Sequence, residues 1–239
     1  MTQNPARGAT RGEDLRTAIA AAAARWIAEE GCDYATAKRR AAREVLGDAG
    51  GMAGAMPDNP QVESELRRYL RLFAADRQPA QLAGLRRVAL RWMRRLAQFE
   101  PHLVGAVLNG TATGHSGIHL NLYADSAKDV EIFLLNQSLS FDVREPGPNA
   151  ETTQEVLQFL VPAPPDSQIE DRISMTLSVM DPVALRVAPG GRPKDPELHP
   201  VERAGRASLP MLERLLADTA GTADDAGPVR HDRPAGESD

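Results

Sequence analysis

The sequence is poor in cysteine and in aromatic residues, and both shortages exclude classes of protein. Cys32 is the single cysteine among 239 residues, so neither an intramolecular disulfide framework nor a CxxC-type zinc site can form. A lone thiol fits a reducing compartment, and we expect a cytoplasmic protein. Aromatic side chains make up 4% of the sequence, which leaves few rings on which nucleic-acid bases would stack.

Long apolar runs and common catalytic motifs are also missing. The alanine-rich run Ala20 to Ala24 is followed by Arg25 and is too short to cross a membrane, and the first residues contain no apolar signal-peptide core. We therefore expect no membrane partner. The sequence contains no HExxH, GxSxG or GxGxxG pattern, so metalloprotease, α/β-hydrolase and dinucleotide-binding chemistry lack support.

Charge is unevenly distributed along the chain. The net charge is −5, but residues 1–99 contain 17 basic and 11 acidic side chains, whereas residues 100–239 contain 11 and 22. Such an asymmetry is typical of a basic half that binds an anionic partner, and equally of two halves that attract each other. Because the arginines are not interleaved with aromatic residues, we favour solvated helix faces and mutual attraction.

Apolar residues recur at helical spacing through the first hundred residues. The pattern predicts helices that end at Gly31 and Gly47, a linker over 48–60, and a third helix that begins at Asn59-Pro60. A fourth helix, residues 85–99, has one apolar and one basic side. Any nucleic acid would contact the basic side, which contains Arg87, Arg91, Arg94 and Arg95, although we favour a solvated face.

From His102 onward the apolar period becomes that of a strand. Residues 103–109 read as a buried strand, 118–123 as an alternating strand, 126–137 as a helix capped by Ser126, and 140–144 as a short strand. Residues 155–161 and 172–180 predict a hairpin. Beyond Val187 large apolar residues are rare apart from a short helical pattern at 209–216, which predicts a largely disordered tail.

These patterns together predict an α+β protein. An N-terminal helical region covers residues 1–84, and an α/β domain with a small mixed sheet covers 85–187. The helices 85–99 and 126–137 should back that sheet. Residues 188–239 form the predicted disordered tail.

The turn before the alternating strand has a recognisable sequence. It reads Asn109-Gly110-Thr111-Ala112-Thr113-Gly114-His115-Ser116-Gly117-Ile118-His119-Leu120. This stretch resembles the minimal nucleotidyltransferases of the DNA polymerase β superfamily, in which a Gly-Ser turn is followed by Ser-Asp-x-Asp on a strand. Gly110-Thr111 then takes the Gly-Ser place and Ser116 to His119 the Ser-Asp-x-Asp place. The likeness covers residues 85–181 and implies that Asp142 takes the place of a third carboxylate.

The resemblance implies nucleotidyl transfer from a nucleoside triphosphate, assisted by two Mg²⁺ ions. Alternate residues of a strand point the same way, so Asp-x-Asp would present two carboxylates to one cleft. Here Gly117 provides no ligand and His119 offers a nitrogen that Mg²⁺ binds poorly, which leaves Asp142. We therefore expect a degenerate pseudoenzyme that serves as a binding or regulatory module for a nucleotide or protein partner.

The alternative is an active nucleotidyltransferase with atypical ligands that modifies RNA, a protein or a small molecule and binds Mg²⁺ only in that case. The resemblance implies His119 and Asp142 as catalytic candidates and no complete set of metal ligands. It assigns nucleotide binding to Asn109, Gly110, Thr111 and Ser116. Strand alternation adds Asn121, which points to the same face as His119.

Residues 105–137 also resemble bacterial sequences that carry the name UDP-N-acetylmuramate-alanine ligase. Such ligases are multidomain ATP enzymes with a Gly-Lys-Thr phosphate loop. This chain contains no Gly-Lys-Ser/Thr and is too short for three domains, so its motifs do not support that activity.

Overall fold

The structure, a computed structural model, describes residues 5–47, 55–147, 152–165, 169, 171–187 and 198–225. The helices are α1 Pro5–Glu30, α2 Tyr34–Leu46, α3 Asn59–Phe73, α4 Gln78–Arg95, α5 Gly105–Asn109, α6 Ala127–Asn136, α7 Pro200–Arg203 and α8 Leu209–Asp225. The strands are β1 His102–Val104, β2 Ile118–Tyr123, β3 Asp142–Arg144, β4 Thr153–Pro162, β5 Arg172–Met180 and β6 Ala207–Ser208. Short 3₁₀ turns cover Ala97–Phe99 and Pro182–Arg186.

The first three helices form a unit of their own, as their patterns predict. Gly31 follows α1 with φ +64, and the carboxylate of Asp33 caps α2 by accepting from the backbone N–H of Ala35 and Thr36. Asp58, rather than Asn59, caps α3, in a capping box with Gln61. Their shared core consists mainly of alanines, among them Ala20, Ala23, Ala24, Ala37, Ala41 and Ala42, together with larger residues such as Ile19, Val62 and Leu66.

The six strands form one mixed sheet in the order β3-β4-β5-β2-β1-β6. β2 and β5 run parallel, with Leu120 opposite Leu177, and the other neighbours are antiparallel. The predicted alternation in β2 and β5 and the predicted hairpin between β4 and β5 are confirmed. The α+β class with a small mixed sheet is therefore the observed fold class.

Helices cover one face of this sheet. The residues of α4, α6 and α8 that join the core of the sheet include Leu85, Val88, Met93, Val130, Leu134, Leu212 and Leu215, packed with Ile118, Leu120, Leu122, Met175, Leu177 and Val179. The opposite face carries the alternate, more polar residues of the same strands. One register row on that face runs from His119 through Thr176 and Gln158 to Asp142. We call this second face the open face of the sheet, and the cavity described below lies against it.

The predicted strand over residues 103–109 is wrong for most of its length. β1 ends at Val104, and Gly105 to Asn109 form the single-turn helix α5 between two glycines of positive φ, Gly105 at +74 and Gly110 at +82. Val107 and Leu108 are buried in either conformation, and periodicity does not distinguish a short buried strand from a short buried helix. The antiparallel pairing of β1 with β2 does match the prediction.

The predicted disordered tail is also too long. Residues 198–225 contain α7, β6 and α8, and Leu212 and Leu215 are fully buried. The helical pattern at 209–216 is part of α8, which packs beside α4. Residues 188–197 and 226–239 lie outside the described residues, and the predicted boundary at 84/85 falls within α4. In the described part of the chain, the helices are too short or too polar to cross a membrane.

Candidate functional site

A cavity of about 510 Å³ lies between the helical unit and the open face of the sheet. We call it the sheet cavity. One wall comes from the helical unit and contains Ile27, Gly31, Cys32, Asp33, Tyr34 and Leu66. The other comes from β1, α5, the turn and the sheet and contains Val104, Gly105, Ala106, Thr111, Thr113, His115, Ser116, Gly117, His119 and Ser178. The cavity thus contains Thr111, Ser116 and His119 among the residues that the sequence singled out.

His119 is the principal titratable group that the sheet presents to this cavity. It lies between Val104 and Thr176 in the sheet register, and its side chain is exposed to the cavity. Desolvation by the surrounding protein lowers the pKa of His119 from its ordinary value of 6.5. The neutral form of the imidazole is therefore favoured more than in an unperturbed histidine.

The turn that precedes β2 is held together by its own side chains. Oδ1 of the buried Asn109 accepts from the backbone N–H of Thr111 at 3.0 Å and from its hydroxyl at 2.6 Å. The hydroxyl of Ser116 accepts from the backbone N–H of Thr113 at 2.9 Å. These two N–H groups already have acceptors, so the turn cannot hold a phosphate with them. The turn contributes the side chains of Thr111, Thr113 and Ser116 to the cavity lining.

The remaining predicted nucleotide-binding residues lie apart from one another. Gly110 lines a different cavity of about 310 Å³ with Gln78 and Glu202, and Asn109 supports the turn from within. Asn121 lines a third cavity of about 250 Å³ beside Tyr123. Of the predicted nucleotide-binding residues, the structure brings Thr111 and Ser116 together with His119 in the sheet cavity.

Asp142 does not meet His119, although the resemblance placed both in one site. β3 is an edge strand, and β4 and β5 lie between it and β2. At a strand spacing of about 4.8 Å the two backbones are roughly 14 Å apart. Asp142 and His119 share a face and a register row, but Asp142 is exposed at the far edge of the sheet. The structure therefore does not bring these two candidate residues together.

Gly117 is closely packed at the start of β2. A Cβ atom at this position would lie 3.0 Å from the carbonyl oxygen of Ser174 and 3.3 Å from its Cβ. The place of the first carboxylate in the Ser-Asp-x-Asp pattern is therefore tightly bounded by the backbone of β5.

The side chains around the sheet cavity do not fit a pair of Mg²⁺ ions. Asp33 contributes a carboxylate, but its Oδ1 caps α2, and the hydrogen bonds from Thr36 hold the pKa of Asp33 below its usual value. Within the described ranges, no three His, Cys, Asp or Glu side chains are grouped so as to hold a metal ion. Mg²⁺ prefers several oxygen ligands, and the described lining of the cavity supplies one carboxylate, that of Asp33.

Sequence reasoning missed the residues that fix the turn from behind. The buried guanidinium of Arg86 donates to the carbonyls of Val107 and Leu108 at 3.0 Å each and pairs with Glu202 on α7. Nε2 of Gln78 donates to the carbonyls of Gly110 and Ala112 at 3.1 Å each. Arg86 lies among apolar residues of α4, just before the exposed arginine face. That position is the sequence signal that its guanidinium is buried.

The exposed arginine face of α4 is partly engaged within the protein. Arg94 pairs with Glu213 of α8 at 2.7 Å. Arg95 donates to Gln137 and lies 4.4 Å from the ring centroid of Trp92. Arg87 and Arg91 are exposed as predicted. These contacts agree with attraction between the basic and acidic halves, the interpretation that the sequence favours over nucleic-acid binding.

No protein-family model, curated protein or solved structure matches the chain.

Proposed function

We propose that the chain is a nucleotidyltransferase-like protein that binds a nucleotide or a related anion in the sheet cavity and acts as a binding or regulatory module. The observation that supports this proposal most directly is the position of His119. It opens into a cavity of ligand size at the place where the resemblance puts a catalytic carboxylate. With Gly117 at the start of β2 and Asp142 at the far edge of the sheet, Asp33 is the one carboxylate among the described residues that line the cavity, and Mg²⁺-dependent transfer requires more.

The residues around the cavity suit binding better than catalysis. A neutral His119 donates one hydrogen bond and accepts another, and Ser116 and Thr113 bring hydroxyl groups from the turn. A bound anion would favour the protonated imidazole and so raise the pKa of His119. The contribution of His119 to anion binding should therefore grow as the pH falls.

Thermal-shift measurements with nucleoside mono-, di- and triphosphates, with and without Mg²⁺, test the proposal. A ligand at a hundred times its Kd adds about 2.7 kcal/mol, which corresponds to a rise in Tm of about 5–10 °C for a chain of this size. We expect this rise without Mg²⁺ and expect it to shrink in His119→Ala. His102→Ala is the matched control, because His102 lies on β1 outside the sheet cavity.

Two further arms of the experiment separate this proposal from an active transferase. Asp142→Ala should leave nucleotide binding unchanged, and labelled ATP, CTP, GTP or UTP should not be incorporated into RNA or protein acceptors. Incorporation that depends on Asp142 would show an enzyme with atypical ligands. An absence of any nucleotide-induced shift would overturn the binding proposal.

The pH dependence of binding provides a second measurement. Desolvation lowers the pKa of His119 in the free protein from its ordinary value of 6.5, so protonation of the imidazole requires a lower pH. The affinity for an anion should rise as the pH falls toward 5, and the slope should disappear in His119→Ala. An equal slope in wild type and variant would assign the effect to the ligand or to another group.

A further inference from the structure

Another cavity, of about 540 Å³, shares the turn residues Thr113 and His115 with the sheet cavity. We call it the helix cavity. Its lining includes residues of α1, α3 and the start of α4, among them Glu29, Tyr69, Leu70, Phe73, Ala74 and Arg77. We propose that the helix cavity binds a free α-amino acid with an aromatic side chain. This inference does not depend on nucleotide binding in the sheet cavity.

The apolar wall of the helix cavity is suited to a ring. Phe73 is 64% exposed, and its ring centroid lies 4.7 Å from that of Tyr69 in a tilted arrangement. Leu70 and Ala74 are buried beside them. A ligand ring placed against Phe73 would remove apolar surface from water and gain a further aromatic contact.

Two opposite charges lie in the same cavity. The hydroxyl of Tyr69 donates to Oε1 of Glu29 at 2.6 Å, and this bond is the main reason why the pKa of Tyr69 is raised. A carboxylate has about four acceptor positions, so Glu29 retains capacity for an ammonium group. Arg77, exposed at the start of α4, presents the planar donors that recognise a carboxylate.

The combination of groups selects one ligand chemistry. An ammonium group beside Glu29, a carboxylate beside Arg77 and a ring against Phe73 together describe an aromatic α-amino acid. A nucleotide would bring its phosphates toward the carboxylate of Glu29, and a simple amine would leave the charge of Arg77 without a counterpart. The cavity volume lies within the range of small-molecule sites.

Isothermal titration of the full chain with four probes tests each group separately. The probes are L-phenylalanine, L-phenylalaninamide without the carboxylate, 3-phenylpropionate without the amine, and L-alanine without the ring. We expect L-phenylalanine to bind tightest and each of the other three to bind about tenfold or more weakly, since hydrogen bonds to charged groups and a buried ring each contribute that much.

Variants locate the binding in the helix cavity. Phe73→Ala should weaken binding of L-phenylalanine about tenfold, whereas Leu72→Ala should not, since Leu72 is 66% exposed beside it but does not line the cavity. Arg77→Gln should abolish the preference for L-phenylalanine over its amide, and Glu29→Gln the preference over 3-phenylpropionate. No saturable binding of L-phenylalanine in the millimolar range, or binding unchanged in Phe73→Ala, would overturn the proposal. Equal affinity of wild type for L-phenylalanine and its amide would also overturn it.

Discussion

Position 117 shows how one residue determines what the sheet cavity can contain. Gly117 immediately precedes β2. A Cβ atom added to it would lie 3.0 Å from the carbonyl oxygen of Ser174 on β5. Backbone atoms give way less readily than the end of a flexible side chain. A side chain at position 117 would therefore press against the backbone of β5 where it packs beside β2.

We predict that Gly117→Ala lowers the free energy of unfolding by about 1–3 kcal/mol, as overpacking of a closed contact does. The measurement is urea denaturation of wild type and variant. Gly147→Ala is the matched control, because no atom lies within 4 Å of its added Cβ, and it should change stability by less than about 0.5 kcal/mol. Equal effects of the two substitutions would contradict the close contact with Ser174.

At the scale of elements, the sequence predicts those whose periodic pattern is long enough to reveal one buried face. β2 and β5 alternate cleanly, and Ser126 caps α6 as expected. α5 is too short to show a helical period, since its five residues make little more than one turn. For the site, alternation placed His119 on the open face, but nothing local reveals that Asn109 and Ser116 use their polar atoms to close the turn.

The link between α4, α5 and α7 depends on residues distant in sequence, which explains why the sequence did not reveal it. Arg86 and Glu202 have side chains only 5% and 13% exposed, and the guanidinium also supplies the donors for the last carbonyls of α5. Gln78 fixes the following turn in the same way. The turn of the candidate site is thus held from behind by α4 and by the C-terminal segment.

We predict that Arg86→Met destabilises the protein by about 3–5 kcal/mol, because Oε1 of Glu202 and the carbonyls of Val107 and Leu108 lose the guanidinium that donates to them. Arg94→Met removes the exposed pair with Glu213 and should cost about 1 kcal/mol or less. Chemical denaturation of both variants provides the comparison. Replacing Glu202 by Leu in the Arg86→Met background should recover part of the loss; similar costs for the two single variants would argue against the buried link.

At the scale of the whole molecule, the protein has two hydrophobic cores, and salt bridges join its basic N-terminal half to its acidic C-terminal half. The core of the helical unit, α1 to α3, is rich in alanine. The core of the sheet unit, which comprises the sheet with α4, α6 and α8, contains larger side chains. Both cavities lie where these units adjoin, and Gly31 approaches His115 closely enough that an added Cβ would lie 2.8 Å from its Cβ. The pairs Arg86–Glu202 and Arg94–Glu213 join the basic N-terminal half to the acidic C-terminal half.

The C-terminal segment completes the sheet unit, and a leucine in α8 tests this directly. Leu215 is fully buried in the core that also contains Leu85 and Met93 of α4. We predict that Leu215→Ala lowers the free energy of unfolding by about 2–5 kcal/mol, the usual cost of a cavity in place of a buried leucine. Leu72→Ala makes the same chemical change at a side chain that is 66% exposed, and should cost well under 1 kcal/mol. Denaturant unfolding of the two variants distinguishes the alternatives, because a disordered tail would make Leu215→Ala as mild as Leu72→Ala.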